Sequence, residues 1–334
     1  MFEGLRKPTD LIVMVVTLLT YGCPIQAIVH AYALDERTVA AWRDRAGTHC
    51  QKIHQGIIEQ GHLDLLHVQA DEIRVKGCKM IAWMGLAMMV STRLWLGGAV
   101  QHSRDRGLAD RLMSQVRRCA AGLHPLLVLT DGWSAYPGSI RRAFREKVKR
   151  TTGVGRARLQ VWPELHIGTV IKHTKQKRVV EIIRRMAHGS LSQAEHLLVL
   201  SHGGVVLNTA FIERMNATFR ERLASLTRRS RHAARRLQAL ETGMYLIGCS
   251  YNFCFPHHEL SKTKHVGSPC TPAMAAGLSD HIWSVFELLS YRIAPPPWSE
   301  PKRRGRPRKQ AEPIKTVRRP RVRLRKGVLC STTV

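Results

Sequence analysis

Pro125-Leu126-Leu127-Val128-Leu129-Thr130-Asp131-Gly132 is the stretch that decides the fold. It is an unbroken apolar run closed by an acid and a glycine. Such a run suits a strand buried on both faces, the kind that occupies the middle of a partly parallel sheet. Reading outward, residues 65–73, 80–90 and 92–100 each carry strand-like composition, with short polar or glycine-containing joints between them. That spacing predicts a meander of three strands before the central one. Residues 104–121 between them read as a helix, and 134–148 as another. A further strand is expected within 159–170, followed by helices over 176–187, 191–200, 209–227, 231–248 and 271–290. The fold class expected is therefore α/β, a mixed sheet with helices packed on it.

The first 60 residues read as helices. Residues 11–19 are apolar, but nine residues fall far short of the ~20 needed to cross a bilayer. Thr9-Asp10 precede the run, and no small-residue cleavage site follows it, so a buried helix is expected rather than a targeting segment. Pro24 suits a first helical position, and Ile25, Ile28, Val29 and Tyr32 keep helical spacing. Asp35 is a good N-cap for a second helix that carries Val39, Trp42 and Ala46 on one side, with Gly47 expected to end it. Two short helices on a tight turn describe a helix-turn-helix over residues 1–60. Arg37, Ala41 and Arg45 then form a small, basic face suited to a major groove. An ordinary helical hairpin has the same pattern.

Charge points to the partner. The chain has 334 residues and 53 Lys and Arg against 24 Asp and Glu, a formal net charge of +29. A polyanion is the expected partner, nucleic acid ahead of a membrane surface. Thirteen of the basic residues and one acid fall in residues 301–334, just after Pro295-Pro296-Pro297. This predicts a catalytic-size domain over 61–294 and a basic, extended tail over 295–334. Within the tail, Lys302-Arg303-Arg304-Gly305-Arg306-Pro307-Arg308-Lys309 is similar to an AT-hook, with Arg304, Arg306 and Arg308 suited to a narrow minor groove. A nonspecific basic tail is the alternative. Arg228 and Arg229, with Arg231, Arg235 and Arg236, make a second basic cluster suited to phosphates. The eight cysteines are scattered with no CxxC pair, and Cys249, Cys254, His257 and His258 lack the spacing of a zinc site. Reduced thiols and a cytoplasmic, DNA-associated location are expected.

Three acids stand out by position. Asp71 lies in the first strand, and Asp131 closes the central strand at its carboxyl edge, where open α/β sheets bind ligands. If those strands are neighbours, the two carboxylates face each other, and a shared cation is the usual reason to tolerate this. Glu72 projects from the opposite face of its strand, so Asp71 and Glu72 are not expected to serve together. The 209–227 helix offers a third acid, either Glu213, which shares one stripe with the candidate phosphate contacts Asn216 and Arg220, or Glu221, about 80° around the helix.

These segments resemble a family. Asp71 in its strand, Leu129-Thr130-Asp131-Gly132-Trp133-Ser134-Ala135-Tyr136, and Asn208-Thr209-Ala210-Phe211-Ile212-Glu213-Arg214-Met215-Asn216 with Arg220 and Arg222 resemble DDE-type insertion-sequence transposases. Thr271-Pro272-Ala273-Met274-Ala275-Ala276-Gly277-Leu278 is similar to a run that follows the core in related transposases and integrases. The resemblance covers about residues 65–290. It implies an RNase H-like core with Asp71, Asp131 and Glu213 as the catalytic triad. It also implies two Mg²⁺ or Mn²⁺ ions, double-stranded DNA as element end and target, and a homo-oligomer. The implied activity is strand cleavage at element ends and transfer of the 3′ end into target DNA. A regulator derived from a transposase and a metal-dependent nuclease without strand transfer are the competing readings. Two departures are visible: Cys23 and Cys50 stand alone where many members carry a cysteine zinc finger, and residues 160–205 match no assigned pattern.

Overall fold

In the computed structural model, residues 1–77, 80–148, 156–176, 178–226, 234–263, 267–294 and Trp298 are described. The chain divides into Met1–Ala294 and Pro295–Val334. The tail motif carrying Arg304, Arg306 and Arg308 lies outside the described residues, as do Arg228 and Arg229.

Met1–Ala294 is a mixed α/β unit built on a six-stranded sheet. Strands β1 (His67–Gly77), β2 (Met80–Met89) and β3 (Trp95–Gln101) form an antiparallel meander. β4 (Leu126–Asp131) runs parallel to β1, and β7 (Leu165–Lys175) parallel to β4. β8 (Arg178–His188) closes the sheet antiparallel to β7, giving the order β3-β2-β1-β4-β7-β8. A separate ribbon pairs β5 (Arg145–Val148) with β6 (Arg158–Val161). The apolar run that predicts a central strand is β4, flanked on both sides, with Leu126 to Leu129 buried.

Helices cover both faces. α4 (Arg106–Cys119), capped by the Asp105 carboxylate on the Leu108 N–H, packs with α5 (Ala135–Ala143) on one side. On the other lie α6 (Leu191–Leu200), α7 (Ala210–Arg222) and α8 (Leu237–Phe253). α1 (Thr9–Thr20), α2 (Ile25–Tyr32) and α3 (Glu36–Ile53) share the main core with the sheet, α3 lying along α8. The α3–α8 contact is close enough that a Cβ on Gly47 would sit 2.1 Å from the Thr242 carbonyl oxygen. On its opposite side α8 presses on the sheet: a Cβ on Gly248 would meet the Trp95 ring at 2.2 Å. Asn252 completes that contact, its amide donating to the Trp95 carbonyl at 2.9 Å and its carbonyl accepting from the Trp95 N–H at 2.9 Å.

Several sequence expectations are corrected. Gly47 does not end α3, because its missing side chain admits α8; the helix runs on to Ile53 and a π-helical turn, His54–Ile58. The helix expected over 134–148 stops at Ala143, and 145–148 is instead paired with β6. The strand expected over 159–170 is two strands, β6 and β7, broken around Pro163. The helix expected over 176–187 is β8: its apolar pairs are β-branched (Val179, Val180, Ile182, Ile183), and β7 offers an edge for them. The 271–290 run holds only α10 (Pro272–Ala275) and α11 (Val285–Ser290), separated by Gly277 at φ +71°. Between α8 and α10 sits α9 (His258–Thr263). Among the described residues no helix is long and apolar enough to cross a membrane.

Candidate functional site

β1 and β4 place the site. Their parallel pairing runs from His67–Leu127 to Ala70–Thr130 and then ends, so Asp71 and Asp131 come next on adjacent strands at the open edge. Asp131 is fixed by local geometry: its Oδ1 accepts from the Trp133 N–H at 3.0 Å as the chain turns into α5. Asp71 is fixed from two sides. Its Oδ1 accepts from the Glu72 N–H at 2.8 Å, and its Oδ2 from the Asn216 side-chain amide at 2.8 Å.

That second bond depends on how α7 is seated. Gln69, fully buried two residues before Asp71 on the same face of β1, accepts from the Ile212 N–H at 3.1 Å through Oε1. Its amide donates to the Asn208 carbonyl at 2.9 Å. One glutamine thus anchors the first turn of α7 to β1, and Asn216 follows one turn later over Asp71. Asn216 is itself buried, and its Oδ1 has no hydrogen-bond partner among the described residues. Glu213, on the exposed side of the same helix, holds an ion pair with Lys172 of β7 and accepts from the Thr209 hydroxyl at 2.7 Å through Oε1.

Glu72 is the residue that sequence reasoning excluded. It does leave β1 on the opposite face, where Tyr136 of α5 donates its hydroxyl to Oε2 at 2.9 Å. Yet one carboxylate oxygen each from Asp71, Glu72 and Asp131 lie within 4.8 Å of one another. The strand-alternation argument fails because β4 stops at this level. Beyond Ala70 the β1 edge facing β4 is bare, so side chains from both faces reach past it toward Asp131. Glu213 stands outside that 4.8 Å group. The signal available in sequence was the adjacency of Asp71 and Glu72 on one strand, with Tyr136 following Asp131.

The electrostatics are those of crowded, partly buried acids. Burial above all pushes the Asp71 carboxyl up to about 6, and the charges of Asp131 and Glu213 push the same way, with Arg220 opposing. Burial, then Asp131, pushes Glu72 up to about 7 against the pull of Arg104. Burial likewise raises the Tyr136 phenol well above its ordinary value, so it serves as a neutral donor. Arg104 bridges the cluster, ion-paired to Glu72 and lying 3.1 Å from Asp131 Oδ2. Its guanidinium sits 4.6 Å from the Trp133 ring centroid and 5.3 Å from that of Trp83.

Can these residues hold a divalent cation? The donor atoms are all carboxylate oxygens, the set preferred by hard cations. The raised proton affinities of Asp71 and Glu72 come first from burial and then from the neighbouring acids, and a bound cation would offset both. The unpartnered Asn216 Oδ1 beside them is a further acceptor suited to a bound water. The residues fit such an ion.

Of the other candidate DNA contacts, Arg37 and Arg45 are exposed on α3 with Ala41, and Arg45 donates to the Glu3 carbonyl. Asp35 caps that helix, accepting from the Arg37 N–H at 2.8 Å and the Thr38 N–H at 3.3 Å. Arg220 is felt by Asp71 as a nearby positive charge. Cys249 is buried in the α3–α8 contact and donates its thiol to the Cys50 carbonyl at 3.2 Å. No protein-family model and no curated protein matched the chain.

Proposed function

We propose that this chain is a DDE-type transposase with an RNase H-like core, acting on double-stranded DNA with Mg²⁺ or Mn²⁺. The observation that carries the reading is the meeting of Asp71 and Asp131 where the parallel pairing of β1 and β4 ends, with Glu213 of α7 near enough to raise the proton affinity of Asp71. A meander of three strands followed by a parallel fourth, with the acids on the first, the fourth and a later helix, supports the RNase H-like reading. The net charge of +29 and the exposed basic side of α3 support DNA as the partner and a helix-turn-helix as its reader.

In that role the residues divide the work. Asp71, Asp131 and Glu213 would hold the cations, with Glu72 as a further carboxylate beside Asp71 and Asp131. Bound divalent ions would supply a nucleophilic hydroxyl and charge stabilisation for the leaving oxygen. Asn216 and the Trp133 N–H keep the Asp71 and Asp131 oxygens in fixed orientation. Thr209 does the same for Glu213. Arg104 and Lys172 neutralise the acids in the protein alone and stand ready to meet phosphate oxygens when the acids are otherwise engaged. Arg37, Arg45, Arg220, Arg228, Arg229 and the tail arginines Arg304, Arg306 and Arg308 are assigned to DNA, whereas Asn216, buried with its amide on Asp71, is too enclosed for the phosphate contact expected of it.

The test is to search the DNA flanking the gene for inverted repeats and to assay cleavage and joining of a duplex carrying such an end, with Mg²⁺ or Mn²⁺. Asp71→Asn, Asp131→Asn and Glu213→Gln should each reduce cleavage by roughly a hundredfold or more while leaving duplex binding intact. Undiminished cleavage by Asp131→Asn would overturn the site. A second reading has one observation in its favour: Arg104 and Lys172 already neutralise the acids, as suits a DNA-binding regulator whose core does not cut. Tight binding of the repeat without cleavage by the wild type would favour it, and cleavage without joining would favour a nuclease.

A further inference from the structure

β8 ends the sheet, and among the described residues no strand pairs with its outer edge. Its composition is unusual for a bare edge. Val179, Val180, Ile182 and Ile183 are 51%, 62%, 39% and 38% exposed. Natural edges are ordinarily guarded by charge, proline or bulges, because an apolar edge recruits another strand. Here the guards are placed selectively. The β7–β8 register slips near Val180 and again near Ala187, whereas residues 181–186 pair with β7 without interruption. The bulges therefore frame one regular, exposed stretch, Glu181-Ile182-Ile183-Arg184-Arg185.

That stretch is complementary to itself. In an antiparallel ladder facing residues alternate between hydrogen-bonded and non-hydrogen-bonded pairs, so a two-fold pairing can centre on either kind of residue facing its own copy, and the side chains brought opposite each other decide between neighbouring centres. Centring on Ile183 sets Ile183 against Ile183 and Glu181 against Arg185, twice by symmetry. Centring instead on Ile182 sets Glu181 against Ile183 and Arg185 against Val179, which leaves every charge facing an apolar side chain. Glu181 is the one acid in residues 171–188, and among the described residues it makes no ion pair. Arg184 is already turned inward, its Nε donating to the Leu207 carbonyl at 2.8 Å, which leaves its methylenes for Ile182 of the other copy. Val205 and Val206, next to Leu207, are 84% and 49% exposed and extend the apolar surface beside this edge.

We propose that β8 pairs antiparallel with β8 of a second copy of this chain, centred on Ile183 and locked by reciprocal Glu181–Arg185 pairs. The two sheets become one, with the faces carrying α7 on the same side. The two β4 strands then lie five inter-strand spacings apart, about 24 Å at ~4.8 Å each. The pairing makes no use of the acids of the catalytic reading, so it stands or falls separately from that reading.

Sedimentation velocity on the full chain at rising concentration tests it. A wild-type dimer is expected in the micromolar range, given the small area of an edge contact. Glu181→Arg and Arg185→Glu should each weaken dimerisation about tenfold or more, since two attractive pairs become two repulsive ones. The double swap should restore it, which excludes misfolding of the single variants as the cause. A monomer at all concentrations up to about 100 µM, far above that range, would overturn the proposal. So would a dimer indifferent to both single changes. Unchanged association with a gain in duplex affinity for Glu181→Arg would also overturn it, and would make β8 a DNA-tracking strand.

Discussion

Replacing Glu72 by glutamine should make the protein more stable at pH 8 in the absence of divalent ions. The Glu72 side chain is 3% exposed, and its carboxyl is pushed from an ordinary 4.5 up to about 7, first by burial and then by Asp131. The folded state therefore binds this proton more tightly than the unfolded chain does. Folding carries no penalty from Glu72 below about pH 4.5, where both states are protonated. The penalty grows as pH rises and is complete above about 7. At ~1.36 kcal/mol for each tenfold change in proton affinity, the full penalty is about 3 kcal/mol, an upper figure because local relaxation lowers it. Glutamine keeps an oxygen for the Tyr136 hydroxyl and removes the charge. For a folded unit of this size 3 kcal/mol corresponds to about 5 °C in Tm. The assay is thermal unfolding in EDTA from pH 4.5 to 8, read as Glu72→Gln minus wild type, which cancels the titrating groups that do not interact with Glu72. The difference should be near zero at the acid end and reach its plateau above pH 7. Mn²⁺ at pH 8 should then raise the wild-type Tm more than that of the variant. A variant that melts below the wild type at pH 8, or a difference that does not change with pH, would refute the account of this cluster.

Two further outcomes follow from the same geometry. Gln69→Leu leaves the Ile212 N–H and the Asn208 carbonyl without their buried partner, which should cost about 2–4 kcal/mol and speed amide exchange across 208–216; unchanged exchange there would mean that α7 is seated by other contacts. Arg104→Gln removes the cation bridging Glu72 and Asp131, so Mn²⁺ should bind roughly tenfold tighter, followed through the emission of neighbouring Trp133. An unchanged affinity would show that Arg104 does not compete for that space.

Much of the sheet is legible in sequence because its strands announce themselves locally. The Leu126–Leu129 run reads as buried on both faces, and short polar or glycine-containing joints separate the meander strands. β8 is less legible for a physical reason. Lys177 to Met186 spaces its apolar residues three and four apart as well as in adjacent pairs, so helical and extended periods both fit. Only the free edge of β7, which the sequence does not display, selects the extended form. Asp131 is found by its position at the end of a strand and Asp71 by lying on the strand expected beside it, since parallel neighbours bring equivalent levels together. Glu72 is missed because alternation along a strand assumes neighbours on both sides, and the early end of β4 removes one of them. Gly47 misleads for a related reason: a glycine late in a helix looks like a terminus until the helix packed against it is known.

The glycines of the α3–α8–Trp95 contact have a mechanical consequence. With Gly47 lying on the Thr242 backbone and Gly248 on the indole, α8 is wedged without slack between the N-terminal helices and the strand beside β2. A protein that grips a duplex through α3 and cuts it at the end of β4 would then behave as a caliper with a fixed gap. The number of base pairs between the sequence it recognises and the bond it breaks would be set by this wedge. Any tolerance in that spacing would have to come from bending of the DNA.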